Sequence, residues 1–296
     1  MAMMIEAGDL DSHEARGKYT LSVVGCGRMG LPTALLFAEA DFNVVAVDTD
    51  PRVVDLIKRG RAPFAETGLP ELLRKHARKD RFRATTDARG AASKSDVIVL
   101  TVPTPIDERR KPDYSYMEKA CKDVGMGLRS KSLVISSSTT GPGVTETLVR
   151  ETLENASGLK AGIDFGLAYS PVRATSGCVL RDLSTYPRVV GAINEKSFRA
   201  ASIVLNAIVR GETVKVRNMK TAEAVKLFEN VYRDVNIALA NDFALFCEKA
   251  EIDFAEAQKA ANTQPYCQLL LPGIVGGHIP KDFHLLLEGA EAIGAR

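Results

Sequence analysis

Long apolar runs are missing from this 296-residue chain. None reaches the ~18 residues that a membrane span requires. The polar stretch Met1–Lys18 lacks the apolar segment of a secretory leader and is expected to be a flexible tail. Clusters of one charge are also missing. Lys and Arg number 39 against 37 Asp and Glu, a net charge of +2, and without a basic block the chain gives no sign of nucleic-acid binding. The five cysteines (Cys26, Cys121, Cys178, Cys247, Cys267) are scattered, odd in number and never spaced as CxxC. That argues against a disulfide framework or a zinc site and for a reduced, cytoplasmic, metal-free protein. No internal repeat or low-complexity segment stands out. The remaining composition, 45% hydrophobic and 26% charged, is that of a globular chain long enough for two domains.

Thr221–Asp253 contains neither Gly nor Pro. Val225, Phe228, Val231/Tyr232, Val235, Ala238/Leu239 and Phe246 recur at steps of three and four, which predicts a helical rod of roughly 45–50 Å. Thr221 is the expected N-cap, and Glu223 falls in the first turn, where negative charge suits the helix dipole. The opposite face carries Glu223, Lys226, Asn230, Asp234 and Asn241 and reads as wetted by solvent. Lys226 and Asn230, four apart, are neighbours on it.

At the other end of the chain, the strand candidate Tyr19–Val24 runs into Gly25-Cys26-Gly27-Arg28-Met29-Gly30. A helical stretch follows over Leu31–Ala40, then a strand over Asn43–Val47 that ends at Asp48. This is GxGxxG in its strand–turn–helix–strand–acid frame. The first glycine permits the turn, the second lets backbone approach a pyrophosphate, and the third lets helix and strand pack closely. The phosphates are expected at the helix N-terminus. Asp48 is placed to accept from ribose hydroxyls and to repel a 2′-phosphate, so NAD is favoured over NADP. Arg52 is a candidate for the adenine side.

Further strand candidates are Asp96–Thr101, leading into Val102-Pro103-Thr104-Pro105; Leu133–Ser137, leading into Ser138-Thr139-Thr140-Gly141; Phe165–Tyr169, leading into Ser170-Pro171; and Arg188–Val190. Strands alternating with helical stretches predict an α/β fold with a Rossmann-like, doubly wound parallel sheet. Ligands bind such sheets beyond the strand C-termini. Thr104, Ser138, Thr139 and Ser170 all stand there. Singly, each hydroxyl is an ordinary turn or cap residue; together they suggest the rim of one cleft.

The phrases VPTPIDERRKPDYSY, FAETGLPELL, SSSTTGPG, AEAVKLFENVYRDVNIALAND and GGHIPKD resemble the nucleotide-sugar 6-dehydrogenases, with the helix and GGHIPKD nearest the UDP-N-acetylmannosamine branch. The resemblance implies an NAD domain over 18–214 behind a tail at 1–17, and an all-α domain over 215–296. It also implies homodimerisation through the 221–253 helix, a nucleotide-sugar substrate, and a further UDP-binding domain that should begin where the chain stops, at Arg296. The family oxidises an alcohol carbon twice, with two NAD. Lys226 and Asn230 match the family's Lys and Asn at the reacting oxygen, Asp282 its Asp that positions a water or the Lys, and Thr139 its Thr beside the nicotinamide.

The sequence departs from the family at three further positions. A catalytic Cys expected between His278 and Ile279 is not there, Val172 stands where a Glu is expected, and Tyr266 where an Arg is expected. A second oxidation needs a thiolate, so the site reads as degenerate for the full reaction. Two alternatives stay open. One is a two-electron dehydrogenase of the 3-hydroxyacid type, which also uses a Lys and an Asn four residues on. The other is a non-catalytic NAD-binding dimer that partners a separate chain.

Overall fold

Short apolar, largely β-branched runs build the sheet. A computed structural model describes residues 5, 6, 8–276 and 279–295. Among these, eight strands share one sheet: β1 (Thr20–Val24), β2 (Asn43–Val47), β3 (Phe82–Thr85), β4 (Val97–Leu100), β5 (Leu133–Ser136), β6 (Gly166–Tyr169), β7 (Arg188–Ala192) and β8 (Thr213–Lys215). The strand order is β3-β2-β1-β4-β5-β6-β7-β8. Every residue of β4, β5 and β6 is buried, the burial expected of parallel strands covered on both faces. The connecting helices include Gly30–Glu39, Pro51–Lys58, Ser115–Gly125, Arg150–Ser157 and Glu195–Asn206. From β1 the chain winds outward through β2 to β3, then returns to β4 on the other side of β1. The reversal opens a crevice beyond the C-termini of β1 and β4.

The sheet is not wholly parallel. β7 runs antiparallel to β6, pairing Tyr169 with Gly191. A parallel connection needs a crossover helix laid along the sheet. Between β6 and β7 the only helix is Val179–Thr185, and its Val179 and Leu183 pack with Val172 against Met29 and Leu36, at the sheet's C-terminal rim. The chain therefore re-enters the sheet from that rim and runs back.

The N-terminal stretch expected to be a flexible tail is ordered where it is described. Ile5 and Leu10 are buried in the main core, a four-residue helix spans His13–Arg16, and Arg16 Nε donates to the Leu10 carbonyl at 2.7 Å. Two apolar side chains among polar neighbours leave no periodic signal; the core they enter is made by distant strands.

The chain divides into two compact units, one of 1–105 with 113–223 and the other of 106–112 with 224–296. The division falls inside one continuous helix, Met219–Lys249, about 46 Å long at 1.5 Å per residue. The second unit also holds helices Phe254–Ala261 and Ile279–Ala292. Its segment 106–112 closes through an Ile106–Pro112 bridge, and Lys111 Nζ reaches Glu291 at 2.6 Å.

Two expectations for the long helix change. Its N-cap is Asn218, not Thr221: the Asn218 Oδ1 accepts from both the N–H and the hydroxyl of Thr221, each at 2.8 Å. Thr221 sits three residues inside, where the cap's side chain bonds the free N–H. The polar face is also not uniformly wet. Glu223 is fully buried and Asn230 nearly so, whereas Phe228 is 58% exposed and Phe246 63% exposed. The apolar stripe of this helix is its open side.

Asn218→Ala should lower stability by about 1 kcal/mol through loss of the cap, read as a fall in the urea midpoint. Thr221→Ala should cost clearly less; equal losses would return the cap to Thr221.

Candidate functional site

The glycine turn after β1 is shaped by three different constraints. Gly25 has φ +98°, and a Cβ there would lie 2.7 Å from the Thr101 carbonyl oxygen. A Cβ on Gly30 would run into the Gly25 carbonyl itself. Gly27 is different: a Cβ would meet nothing within 4 Å, so its backbone faces open space. Thr101 Oγ1 ties the turn to β4 by donating to the carbonyls of Val24 and Gly25 at 3.0 and 2.8 Å. At the end of β2, Asp48 accepts from the Cys26 N–H at 2.8 Å and from the Asp50 N–H at 2.9 Å. Those bonds fix the carboxylate beside the turn and leave it further lone pairs. An open backbone, a helix N-terminus and an oriented acid fit a dinucleotide's pyrophosphate and adenine ribose.

The other expected residues of this unit divide. Arg28 lies with its guanidinium 5.8 Å from the Phe64 ring centroid, and Met29 packs beside Val172. Arg52 is drawn to Asp50 at 2.9 Å, an exposed pair on the helix after β2 that gives it no fixed aim toward the turn. Beyond β4 and β5, Ser138 Oγ donates to the Val102 carbonyl at 2.7 Å, and Thr104 Oγ1 to the Thr139 carbonyl at 2.6 Å. These hydroxyls spend their protons lacing one loop to the next and keep only acceptor capacity for a ligand. Pro103 is exposed between them, and Ser170 is buried with no partner for its hydroxyl among the described residues.

Sequence reasoning put Glu223 on a wet face and missed its role. Its Oε1 accepts from Thr140 Oγ1 at 3.1 Å, Thr145 N at 2.8 Å and Thr145 Oγ1 at 2.6 Å, and its Oε2 accepts from Gly143 N at 2.5 Å. Burial pushes its pKa above the usual 4.5, against the pull of these donors. The available signal was its place in line with Lys226 and Asn230 on one helical face.

In the second unit the structure joins Asn230 to Asp282. Asn230 Nδ2 donates to Asp282 Oδ2 at 2.6 Å, and Lys281 Nζ holds the other carboxylate oxygen at 2.8 Å. A carboxylate only accepts here, which fixes the amide's orientation and leaves Asn230 a second N–H to donate. Lys226, half-buried, lies one turn earlier on the same helix. Tyr266 is 93% exposed and Cys267 sits in the same turn, its thiol toward Asn262 Oδ1. His278, beside the slot where a Cys is expected, lies outside the described residues. Cys26 is in the glycine turn, but burial and then Asp48 push its thiol pKa far up, which keeps it protonated and inert.

The three glycine environments separate fold from binding. Gly30→Ala should cost about 3 kcal/mol or more, since backbone must move. Gly27→Ala should leave the melting temperature nearly unchanged yet weaken dinucleotide binding by about tenfold or more, because the added methyl stands where phosphate would meet N–H groups. A Gly27→Ala protein that binds normally would contradict the proposed approach.

Comparison with known proteins agrees with this arrangement. Residues 19–209 match the NAD-binding domain of the UDP-glucose/GDP-mannose dehydrogenase family, and residues 220–296 match its central domain. The UDP-N-acetyl-D-mannosamine dehydrogenase of Pyrococcus horikoshii is 38% identical over 276 residues, 92% of this chain and 64% of that protein. An NDP-N-acetyl-D-galactosaminuronic acid dehydrogenase of Ralstonia nicotianae is 36% identical over 266 residues, 88% of this chain and 62% of that protein. The solved structure of the Pyrococcus enzyme aligns with a TM-score of 0.86 at 37% identity, covering 92% of this chain and 65% of the other. The chain thus spans somewhat less than two thirds of these relatives. A dinucleotide turn, an acid fixed at the end of β2 and two matched domains lead to one assignment: this chain belongs to the UDP-glucose/GDP-mannose dehydrogenase family and carries its NAD-binding domain.

Proposed function

We propose that the chain is an NAD-dependent oxidoreductase that acts on the C6 alcohol of a nucleotide sugar, of the UDP-N-acetylmannosamine class, and stops after the first two-electron step. The observation that carries this reading is the buried Asn230–Asp282–Lys281 cluster, with Lys226 one turn away on the same helix. NAD, when bound, supplies the acceptor for the hydride. The Lys226 ammonium and the second Asn230 N–H stabilise the alkoxide that forms as the substrate hydroxyl gives up its proton to solvent water. Asp282 holds the Asn230 amide in the donating orientation. Thr139, on the loop after β5, is assigned to the nicotinamide side. The stop after one step follows from the sequence, where Ile279 succeeds His278 with no Cys between them, so no thiolate is in place to form the covalent adduct of a second oxidation.

The exposed stripe Phe228, Tyr232, Val235, Leu239, Phe243 and Phe246 supports a symmetric partner. Its three-and-four spacing makes a continuous apolar face, which a second copy of the same helix covers by an isologous contact.

Four measurements check these assignments. NADH formation over a panel of nucleotide sugars and 3-hydroxyacids should respond to a UDP-N-acetylhexosamine with one NADH per sugar. Two NADH and a uronic acid would reject the one-step reading. Lys226→Ala should lower the rate by about 10²–10³. NAD should bind more tightly than NADP, with the gap narrowed by Asp48→Ala. Sedimentation at micromolar concentration should give a dimer, and a stable monomer would remove the assigned role of the stripe.

A further inference from the structure

The Glu223 carboxylate has no cation among its partners in the described residues; its four bonds are the only compensation for a fully buried acid. Burying a carboxylate is costly unless hydrogen bonds replace its water. All four bonds end in one segment, Thr140–Thr145, between the end of β5 and the π-helical turn Thr145–Val149. Gly143 has φ +101°, which turns its N–H, with that of Thr145, onto the carboxylate. Such converging N–H groups form an anion nest, here filled by the protein's own side chain. The first half of the loop is held by other bonds, among them Ser138 Oγ donating to the Val102 carbonyl at 2.7 Å. Thr104 Oγ1 bonds the Thr139 carbonyl at 2.6 Å, and Tyr114 Oη accepts from the Gly141 N–H at 3.0 Å. Without Glu223, two backbone N–H groups and two hydroxyls lose their acceptor at once.

The topology says which half of a dinucleotide this loop meets. Asp48 ends β2, on one side of β1, while the loops after β4 and β5 lie on the other side in the order β2-β1-β4-β5. A dinucleotide whose pyrophosphate lies on the Gly25–Gly30 turn and whose adenine ribose meets Asp48 must extend its nicotinamide half across β1 toward β4 and β5. We propose that Glu223 is a positioning residue for that half: it fixes the course of the Ser138–Thr145 loop, and with it the nicotinamide side of the cofactor site, without itself touching the cofactor. The inference rests on the assignment of NAD to this turn.

The test compares NAD with ADP-ribose, which lacks the nicotinamide, by calorimetry on the whole chain. Glu223→Ala should raise the NAD Kd by about tenfold or more, the scale of losing a charge-assisted hydrogen-bond set, and leave the ADP-ribose Kd unchanged. Glu223→Gln, which keeps an acceptor oxygen but turns an amide N–H₂ toward a donor, should fall between wild type and Ala. Thr145→Val, which removes one donor hydroxyl, should shift NAD alone by a smaller factor. These two variants carry the test if Glu223→Ala fails to fold. A purely structural role for Glu223 predicts that NAD and ADP-ribose weaken together; that result, or no change in either, overturns the proposal. A wild-type chain that binds neither ligand overturns the NAD assignment along with it.

Discussion

The close approach of Gly30 to the Gly25 carbonyl is the constraint on which the first unit turns. It lets the Gly30–Glu39 helix begin almost on top of β1, and Thr101 Oγ1 fastens the same turn to β4. The helix N-terminus, the open backbone at Gly27 and the C-terminal ends of β1 and β4 therefore share one crevice. Asp48 is part of the same construction. Its bond to the Cys26 N–H ties the end of β2 to the turn, so the acid that would read the ribose also braces the loop that would hold the phosphates.

Glu223 does for the loop after β5 what Thr101 does for the glycine turn. Both satisfy backbone groups at strand ends, where the sheet ladder can no longer do so. They differ in cost. A threonine hydroxyl is cheap to bury, whereas a buried carboxylate depends on its hydrogen-bond donors. A buried acid with four donors and no counter-charge among the described residues marks a conformation held in one form.

Unit two spends polar groups in a similar way. Asp282 is buried between Asn230 and Lys281, while aromatic and aliphatic side chains of the same long helix lie open. The helix is amphipathic as its periodicity indicates, but Glu223 and Asn230 on its polar face are buried, while Phe228, Tyr232, Val235, Leu239, Phe243 and Phe246 lie open. Periodicity reports that two faces differ; it carries no information about which face meets the rest of the chain.

The sequence by itself determined the dinucleotide turn, the acid at Asp48, β2 to the residue, β1, β4, β5, β6 and β7 to within a residue or two at each end, and the long uninterrupted helix, but not β3 or β8. Each is a local consequence of backbone chemistry: glycines permit particular φ values and contacts, β-branched runs favour strands, and a stretch free of Gly and Pro sustains a helix. Only the tertiary structure decided that Asn218 caps the long helix, that β7 runs backward, that Ile5 and Leu10 join the core, and that Glu223 and Asn230 are buried. In these cases the deciding partner is distant in sequence or equivalent in composition. Asn218 and Thr221 are both capping residues, and only the start of the helix chooses between them. The reversal of β7 depends on a helix packing at the rim against Met29 and Leu36. The donors to Glu223 lie some eighty residues before it, a separation that no periodicity encodes, because a hydrogen bond between remote residues exists only after the sheet has brought their loops together.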